Sequence, residues 1–410
     1  MFHQRTFFSF VMKKYLVTGG AGFIGANFVK YILNKWGDDI DVTVFDDLTY
    51  AGNLETIKTE LTLPNVRFVK SNICDEPTVN RVMEEIDPDF VVNFAAESHV
   101  DRSIENPRSF IETNVLGTHT LLESARRHWL YGKTEDGKPR YRDGKKFLQI
   151  STDEVYGSLS RDFDAPVPLI LDEETGRVAT GRKDLKTFGK ELFKESTPLT
   201  PRSPYSASKA SADMLTQAYS ETFGLPVNIT RCSNNYGPAQ FPEKLIPLIF
   251  NNVLKGIPLP VYGKGENVRD WLYVDDHCSA IDAVLRHGRT GEVYNIGGFN
   301  EEQNITIVKT IIDIMARMLR DNPQYRTQLH QPLENVNHDM ITFVSDRPGH
   351  DMRYAIDPAK TAIELGWYPE TPFTEGIEKT IKWYFDNPEW VARVTSGDYL
   401  RYYEQMYGDR

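Results

Sequence analysis

Tyr205 and Lys209 are the residues whose types and spacing first indicate chemistry. They stand four positions apart at the start of a helical pattern, and residues i and i+4 share one face of a helix. The lysine ammonium is therefore expected beside the phenol, where a cation lowers the pKa of a tyrosine from its free value of about 10. The resulting phenolate could take a hydroxyl proton while a hydride leaves the same carbon. This spacing also occurs by chance on many helices.

Asp153 and Glu154 form a second reactive pair. They follow Thr152 at the end of an apolar run over residues 147–151, which predicts a buried strand. Two carboxylates on one turn can act as a general acid and a general base when their surroundings push their pKa values apart. The alternative is a loop that carries two solvated carboxylates.

A glycine-rich segment supplies the third group of residues. Gly19, Gly22 and Gly25 follow an apolar run over residues 15–18 and open a helical pattern over residues 23–33. Glycines at these places permit a tight turn and a close backbone approach, so that a pyrophosphate can lie at the positive N-terminus of the helix. Glycines alone are weak evidence, but the strand before them and the helix after them predict a dinucleotide site.

The acidic residue after the next strand bears on which dinucleotide would bind. Asp46 follows the strand predicted over residues 42–45, and a carboxylate there accepts hydrogen bonds from the ribose hydroxyls. It would also repel a 2′-phosphate, so NAD is expected rather than NADP. Asp47 could share the role, although Asp46 directly follows the strand. Asn72 and Ile73 could contact adenine, but an ordinary loop fits nearly as well.

The elements that must position these groups alternate between strands and helices in the first half of the chain. This alternation is typical of parallel βαβ units and predicts an α/β fold with a Rossmann-type doubly wound parallel sheet. The predicted strands are residues 15–18, 42–45, 66–69, 90–94 and 147–151, and the predicted helices are residues 23–33 and 111–127.

The second half is less regular and predicts a smaller mixed α/β C-terminal domain. We place the NAD-binding domain at residues 12–235 and the second domain at residues 236–410, with some chain returning to the first domain. Two polar segments, residues 131–146 and 161–196, are predicted to be surface insertions. The predicted elements of the second half are strands over residues 259–262, 271–274 and 293–296, and helices over residues 306–320 and 373–386.

Composition narrows the classes of protein that fit. The chain has 410 residues, 40% of them hydrophobic and 26% charged, and its net charge is −11. These are globular values, and the charge argues against nucleic acid as a partner. No run approaches the roughly 20 apolar residues that span a bilayer.

The three cysteines and the N-terminus indicate where the protein resides. Cys74, Cys232 and Cys278 suit neither a disulfide framework nor a zinc site, so we expect no metal and three buried, reduced thiols in a cytoplasmic protein. The short apolar run over residues 7–12 precedes two lysines. We interpret it as a short extension, or as sequence before a true start at Met12, rather than a signal peptide.

The motifs together resemble a known family. The glycine segment, Asp46 and the Tyr205–Lys209 pair are similar to the extended short-chain dehydrogenase/reductase superfamily. Within it, residues 151–157 resemble the signature of dTDP-glucose 4,6-dehydratases. Further matching stretches, over a resemblance that runs from residue 12 to residue 384, are residues 95–103, 234–238, 241–247, 269–274 and 347–351.

The resemblance implies a three-step reaction on a nucleotide-linked glucose. Hydride leaves C4 for NAD while Tyr205 takes the O4 proton, with Thr152 bonded to that hydroxyl. Glu154 then removes the C5 proton while Asp153 protonates the departing 6-hydroxyl. Hydride finally returns to C6, so the product is a 4-keto-6-deoxy sugar nucleotide and the cofactor stays bound.

The predicted binding residues divide into two sets. By resemblance, Asn234, Lys244, Arg269 and Arg347 lie near the phosphates and base. Relatives often carry Asp at position 72, so Asn72 changes the donor–acceptor pattern offered to adenine. The predicted cofactor set is Gly19, Gly22, Phe23, Ile24, Gly25, Asp46, Thr49, Asn72, Ile73, Ala95, Ala96, Thr113, Tyr205 and Lys209. The predicted substrate set is Ser98, His99, Arg102, Thr152, Asn234, Lys244, Leu245, Pro260, Tyr262, Arg269, Asn304, Arg347 and His350.

Three alternatives remain at this point. UDP-glucose could replace dTDP-glucose. A 4-epimerase or a decarboxylase could share the fold, but epimerases of the superfamily lack the Asp-Glu pair and decarboxylases usually have Ser in place of Asp153. A non-catalytic NAD-binding sensor would have lost Tyr205, Lys209 or the carboxylates, and all are present.

Relatives commonly form dimers through helices of the first domain, so a homodimer is expected.

Overall fold

The structure, a computed structural model, describes residues 12–169, 185–346 and 350–395. Three sequence-based predictions fall outside these ranges: the N-terminal extension, the central part of the second insertion and Arg347. The strands are β1 Lys13–Thr18, β2 Ile40–Asp46, β3 Val66–Lys70, β4 Phe90–Asn93, β5 Leu130–Lys133, β6 Pro139–Tyr141, β7 Lys146–Thr152, β8 Val167–Pro168, β9 Lys186–Thr187, β10 Val227–Cys232, β11 Asn234–Tyr236, β12 Leu259–Tyr262, β13 Val268–Tyr273, β14 Val293–Ile296, β15 Glu301–Gln303 and β16 Ile341–Val344. The α-helices are α1 Phe23–Trp36, α2 Glu76–Ile86, α3 Val100–Glu105, α4 Pro107–Phe110, α5 Thr118–Trp129, α6 Pro204–Phe223, α7 Leu245–Lys255, α8 Val274–His287, α9 Asn304–Asp321, α10 Pro323–Arg326, α11 Ala359–Leu365, α12 Phe373–Asp386 and α13 Pro388–Val394.

Seven parallel strands form the central sheet, in the order β14-β10-β7-β4-β1-β2-β3. Val17 of β1 lies between Val44 of β2 and Val92 of β4, so the strand order reverses beside β1. In such a sheet, ligands bind outside the carboxyl ends of the strands, at the point of reversal. The predicted Rossmann-type doubly wound sheet is confirmed.

Apolar residues cover both faces of this sheet, which is why its strands are continuous hydrophobic runs. Side chains alternate between the two faces of a strand. Val17 therefore belongs to the core beneath α1 and α8, whereas Leu16 belongs to the core beneath α2 and α5. Burial on both faces fixes the register of every strand and hence the position of each strand end.

Two helices that carry predicted site residues have clear local causes. Helix α6 is capped at its N-terminus by Ser203, whose side chain accepts a hydrogen bond from the Ser206 amide, and at its C-terminus by Gly224 in the left-handed region. The helix predicted over residues 111–127 begins earlier, at Pro107, and residues 111–117 form a π-helical segment. π-Helical turns are frequent at functional sites.

The C-terminal half builds a second hydrophobic core. It packs α7, α9 and α12 around two small sheets, β11-β13-β15 and β12-β16. The strand predicted over residues 293–296 does not join these two small sheets. It lies at the edge of the large sheet as β14. Its apolar side chains can pack on either core, so the local pattern could not decide between them.

The two insertions differ in their burial. The first forms the exposed hairpin of β5 and β6. The prediction of a surface segment is wrong for the end of the second, where Leu185, Thr187, Phe188 and Phe193 are buried. The cysteine prediction is also wrong for Cys74, which is exposed, whereas Cys232 and Cys278 are buried free thiols.

A buried ion pair holds the second insertion in place. Arg353 is fully buried and binds Glu301 with two hydrogen bonds, Nε to Oε2 at 2.8 Å and Nη2 to Oε1 at 2.9 Å. Arg353 also donates to Thr187 Oγ1 and to the carbonyl of Glu191. The guanidinium therefore joins the insertion to the C-terminal half.

Among the described residues, we find no helix with the length and apolar character needed to cross a membrane.

We expect Glu301→Gln to destabilise the protein by about 3–5 kcal/mol, because it leaves the Arg353 charge buried without its counter-ion. Urea unfolding followed by circular dichroism would measure the loss. Glu378→Gln is the matched control, because Glu378 pairs with Arg317 at 2.9 Å in an exposed ion pair and its loss should cost less than about 1 kcal/mol. Equal effects of the two substitutions would contradict this account of the insertion.

Candidate active site

A cleft at the carboxyl ends of the central strands collects the predicted catalytic residues. Its cavity volume is about 320 Å³, at the lower end of the roughly 300–1,000 Å³ of a typical small-ligand site. Of the predicted residues, it is lined by Gly19, Gly22, Phe23, Ile24, Gly25, Ala96, Ser98, Thr152, Asp153, Glu154, Tyr205, Lys209, Asn234, Lys244 and Leu245.

The glycine segment is shaped by close backbone contacts. Gly19 has a φ of +66°, and a Cβ there would lie 2.6 Å from the Ala95 nitrogen. A Cβ on Gly25 would lie 2.3 Å from the Gly19 carbonyl oxygen. No side chain caps the N-terminus of α1 at Gly22, so the first amides of the helix can bind an anion. These residues fit the diphosphate of NAD.

A smaller pocket adjoins the glycine segment on the side of β2 and β3. The Asp46 carboxylate lies there and accepts hydrogen bonds from the amides of Ala21 (3.0 Å) and Leu48 (2.8 Å). Burial raises the pKa of Asp46, and these two amides oppose the rise. The predicted residues that line this pocket are Gly19, Gly22, Asp46, Thr49, Asn72, Ile73, Ala95, Ala96 and Thr113.

The two polar residues beside Asp46 bind each other. Asn72 Nδ2 donates to Asp47 Oδ2 at 2.9 Å, and Asn72 Oδ1 accepts from the Cys74 amide. Asp47 also lines the pocket. Two neighbouring carboxylates make it unfavourable for a 2′-phosphate, in agreement with the expected preference for NAD.

Asp153 is the most strongly perturbed acid of the cleft. It is 1% exposed, and its pKa is raised well above the usual value by burial, then by the charges of Glu154 and Asp270. Asp153 Oδ1 accepts a hydrogen bond from Thr152 Oγ1 at 3.2 Å, and Oδ2 has no partner among the described residues. Burial therefore favours the protonated form of this carboxyl group over its charged form. Two adjacent carboxyl groups with different protonation states can act as acid and base.

Burial is the main influence on the pKa of Tyr205. Its pKa is raised well above the usual value by burial and by the negative charge of Glu154, and a hydrogen bond with Thr152 opposes the rise. Lys209 Nζ donates to the Ile150 carbonyl at 2.6 Å, and burial lowers the pKa of this lysine. Lys209 is not among the main influences on the phenol, so the cation beside Tyr205 does not by itself determine the direction of its pKa. The expected lowering, to which the nicotinamide charge would add, stays a prediction.

Several predicted substrate residues lie outside the lining of this cleft. Arg269 is buried close to Asp153, whose pKa it lowers, and it donates to the carbonyls of Val268 and Asp351. Arg102 stacks on Tyr50, 3.7 Å from the ring centroid. The other predicted residues that do not line the cleft are His99 at the start of α3, Pro260 and Tyr262 in β12, Asn304 at the start of α9, and His350, which contacts Asp346 at 2.6 Å. Arg347 is not among the described residues.

Sequence reasoning also missed part of the lining. Most missed residues are neighbours of the selected ones within the same motifs or strand ends. Glu243, for example, precedes Lys244, and burial raises its pKa. Their position next to the selected residues in the same motifs was the signal that could have identified them. The missed lining residues are Ala51, Phe94, Ile150, Ser151, Cys232, Ser233, Asn235, Gln240, Phe241, Glu243 and Trp271.

Comparisons with known proteins agree with this geometry. Residues 15–297 match the model of the NAD dependent epimerase/dehydratase family. The dTDP-glucose 4,6-dehydratase of Salmonella typhimurium is 47% identical over 97% of this chain and 99% of its own length. A dTDP-glucose 4,6-dehydratase of Escherichia coli K12 shows the same identity and coverage.

Solved structures show the same similarity. The dTDP-glucose 4,6-dehydratase of Bacillus anthracis, in complex with NAD, is 43% identical with a TM-score of 0.73, over 93% of this chain and 99% of that one. The corresponding Streptomyces venezuelae enzyme, also with NAD, is 39% identical with a TM-score of 0.75 at the same coverage. The relatives described above are dTDP-glucose 4,6-dehydratases. The chain therefore belongs to the NAD dependent epimerase/dehydratase family.

Proposed function

We propose that this protein converts dTDP-glucose to dTDP-4-keto-6-deoxyglucose with bound NAD, as a hydro-lyase. One observation carries the proposal: Asp153, a buried carboxyl group whose pKa is raised, lies beside Glu154 in the cleft that also contains Tyr205 and the glycine segment. Oxidation alone needs only the tyrosine and the cofactor. Elimination of water also needs an acid and a base close to the same sugar, and the cleft supplies both.

Tyr205 and Thr152 act on the hydroxyl at C4. Thr152 is hydrogen-bonded to Tyr205, so one hexose oxygen can contact both side chains, and Tyr205 takes its proton. Bound NAD supplies the acceptor, and later the donor, of a single hydride. Because burial and Glu154 raise the pKa of Tyr205, the phenol needs the positive charge of the cofactor close to it before it can act as a base.

Glu154 and Asp153 carry out the elimination. A ketone at C4 acidifies the proton on C5, which Glu154 removes. The 6-hydroxyl leaves as water with the proton of Asp153. When hydride is added at C6, C5 must regain a proton, and the protonated Glu154 returns the one that it removed. Burial suits Asp153 to the acid role, because a carboxyl group in a low-dielectric site keeps its proton at neutral pH.

The substrate diphosphate is proposed to lie near Lys244 and Asn234. Lys244 Nζ donates to the Ser98 carbonyl at 2.9 Å and can also bind a phosphate. Trp271 Nε1, a donor, and Asn234 Oδ1, an acceptor that a substrate hydroxyl could satisfy, are buried without partners among the described residues. Buried polar atoms of this kind are usually satisfied in the working protein, and both residues line the cleft.

A homodimer and a cytoplasmic location complete the proposal. Four apolar side chains are about half exposed on adjoining helical segments: Ile104 on α3, Ile111 and Leu116 on the π-helical segment, and Met214 on α6. An apolar helical patch of this kind favours pairing with a second copy. The three free cysteines favour a reducing compartment.

The central test supplies purified protein with dTDP-glucose or UDP-glucose, without added NAD. We expect a 4-keto product, detected by its absorbance in alkali, to form faster with dTDP-glucose. Formation without added NAD would show that the cofactor remains bound and is regenerated. No product from either sugar nucleotide, even with NAD added, would overturn the proposed function, and a preference for UDP-glucose would overturn the choice of base.

Glu154→Gln should lower the rate of product formation by about 10²–10⁴-fold, the usual contribution of a general base. Amide and carboxylate have the same shape, so binding of dTDP, measured by calorimetry, should change little. Glu85→Gln is the control, because Glu85 forms an exposed ion pair with Arg81. A rate for Glu154→Gln within threefold of wild type would remove Glu154 from the mechanism.

Met214→Glu should convert a dimer into a monomer, because it buries a charge in the proposed helical interface. Analytical ultracentrifugation measures the change in mass. Ile363→Glu places the same charge on α11, at another exposed apolar residue (64% exposed), and should leave the dimer intact. If wild type sediments as a monomer at micromolar concentration, the dimer proposal is rejected.

A further inference from the structure

A buried ion pair lies directly behind the predicted catalytic lysine. Asp213 follows Lys209 by one helical turn in α6, and neither residue is accessible to solvent. Asp213 Oδ2 accepts a hydrogen bond from Arg231 Nε at 2.9 Å. Arg231 belongs to β10, where it pairs in register with Ser151 of the neighbouring strand. The pair thus sits between the helix and the strand that together form one wall of the cleft.

The ion pair is fixed in turn by a chain of hydrogen bonds. Arg231 Nη1 donates to the Tyr156 hydroxyl at 3.0 Å, and this hydroxyl donates to Asn295 Oδ1 at 2.8 Å. Asn295 Nδ2 then donates to the carbonyl of Phe193 in the second insertion. Because every link is buried, the guanidinium has little freedom, and it holds Asp213 in a single orientation.

Two groups act on the charge of Lys209: Asp213 on the same helix and Cys232 on β10. Ile150 of β7 accepts a hydrogen bond from the ammonium. Burial lowers the pKa of Lys209, and the charge of Asp213 is the largest opposing effect. Arg231 lowers the pKa of Asp213 against the effect of burial. Each charge in this row therefore stabilises the charged form of the next.

We propose that Asp213, fixed by Arg231, is a positioning residue for Lys209 that keeps its ammonium charged at the wall of the cleft. The inference rests on the proposed function, in which the Lys209 charge assists Tyr205. Asp213 itself lies outside the cleft lining and contacts neither ligand site. It acts through the lysine, since a buried ammonium without a counter-charge favours its neutral form.

The test is the pH dependence of kcat for NAD-loaded Asp213→Asn with dTDP-glucose. In wild type, activity should fall at high pH where Lys209 loses its proton. Without the negative charge of Asp213, less opposes the effect of burial on the pKa of Lys209, so Lys209 loses its proton at a lower pH. The fall of kcat at high pH, the alkaline limb of the profile, should therefore move down by about one pH unit or more. KM should stay within about twofold, and Asp213→Glu should restore the wild-type limb.

Controls separate this effect from a purely structural one. Tyr156→Phe breaks the hydrogen-bond chain but keeps both charges, so its alkaline limb should match wild type even if its thermal stability falls. The double variant Asp213→Asn with Arg231→Gln leaves no unpaired charge at the site of the former ion pair, which guards against misfolding, and its limb should also move down. A limb that stays in place in both Asp213→Asn variants overturns the proposal.

A measurement that needs no turnover distinguishes a failure of the Asp213 positioning role from a failure of the proposed function. Selective ¹³C labelling of lysine, with the Lys209 signal assigned by its absence in Lys209→Met, gives the titration of Lys209 directly by NMR. A lower pKa in Asp213→Asn supports the positioning role even if dTDP-glucose is not a substrate. An unchanged pKa overturns that role even if the protein proves to be a dehydratase.

Discussion

Desolvation at the carboxyl edge of the central sheet is the physical effect on which the site depends. Parallel strands buried on both faces end at one edge, and the groups that follow them are removed from water. The same effect raises the pKa of Asp153 and Tyr205 and lowers that of Lys209. Burial thus favours the protonated forms of the Asp153 carboxyl group and the Tyr205 phenol, and a positive charge nearby would favour the phenolate. The reaction proposed here needs both states.

Buried side chains beneath this edge form a hydrogen-bonded network, which keeps this part of the cleft wall in one arrangement. Asn93 in β4 joins Thr18 of β1 to Gln149 of β7 through side-chain hydrogen bonds. Asn114, in the π-helical segment, binds both the backbone of Glu97 and the hydroxyl of Ser208. Buried hydrogen-bond networks of this kind rigidify a structure. Asn114 thereby connects the chain that follows β4 to helix α6.

The C-terminal half closes the other side of the cleft and is fastened to the first half at the cofactor side. The Tyr50 ring packs on Phe241 and on Arg102. Farther along the chain, Trp390 Nε1 in α13 donates to Thr56 Oγ1 at 3.0 Å. The loop after β2 is thereby held from both ends, next to the pocket that contains Asp46. Such attachments suit a cofactor that is regenerated in each cycle and has no need to leave.

The sequence by itself determined what depends on neighbouring positions along the chain. The glycine segment after β1, Asp46 at the end of β2 and the Tyr205–Lys209 spacing are local patterns, and each predicted the element that carries it. Only the tertiary structure decided what depends on distant residues. It assigned β14 to the large sheet, buried Phe193 against Tyr156, and left Pro260 and Asn304 outside the cleft lining. It also showed that burial raises the pKa of Tyr205, because desolvation is the sum of all surrounding atoms and no short sequence pattern encodes that sum.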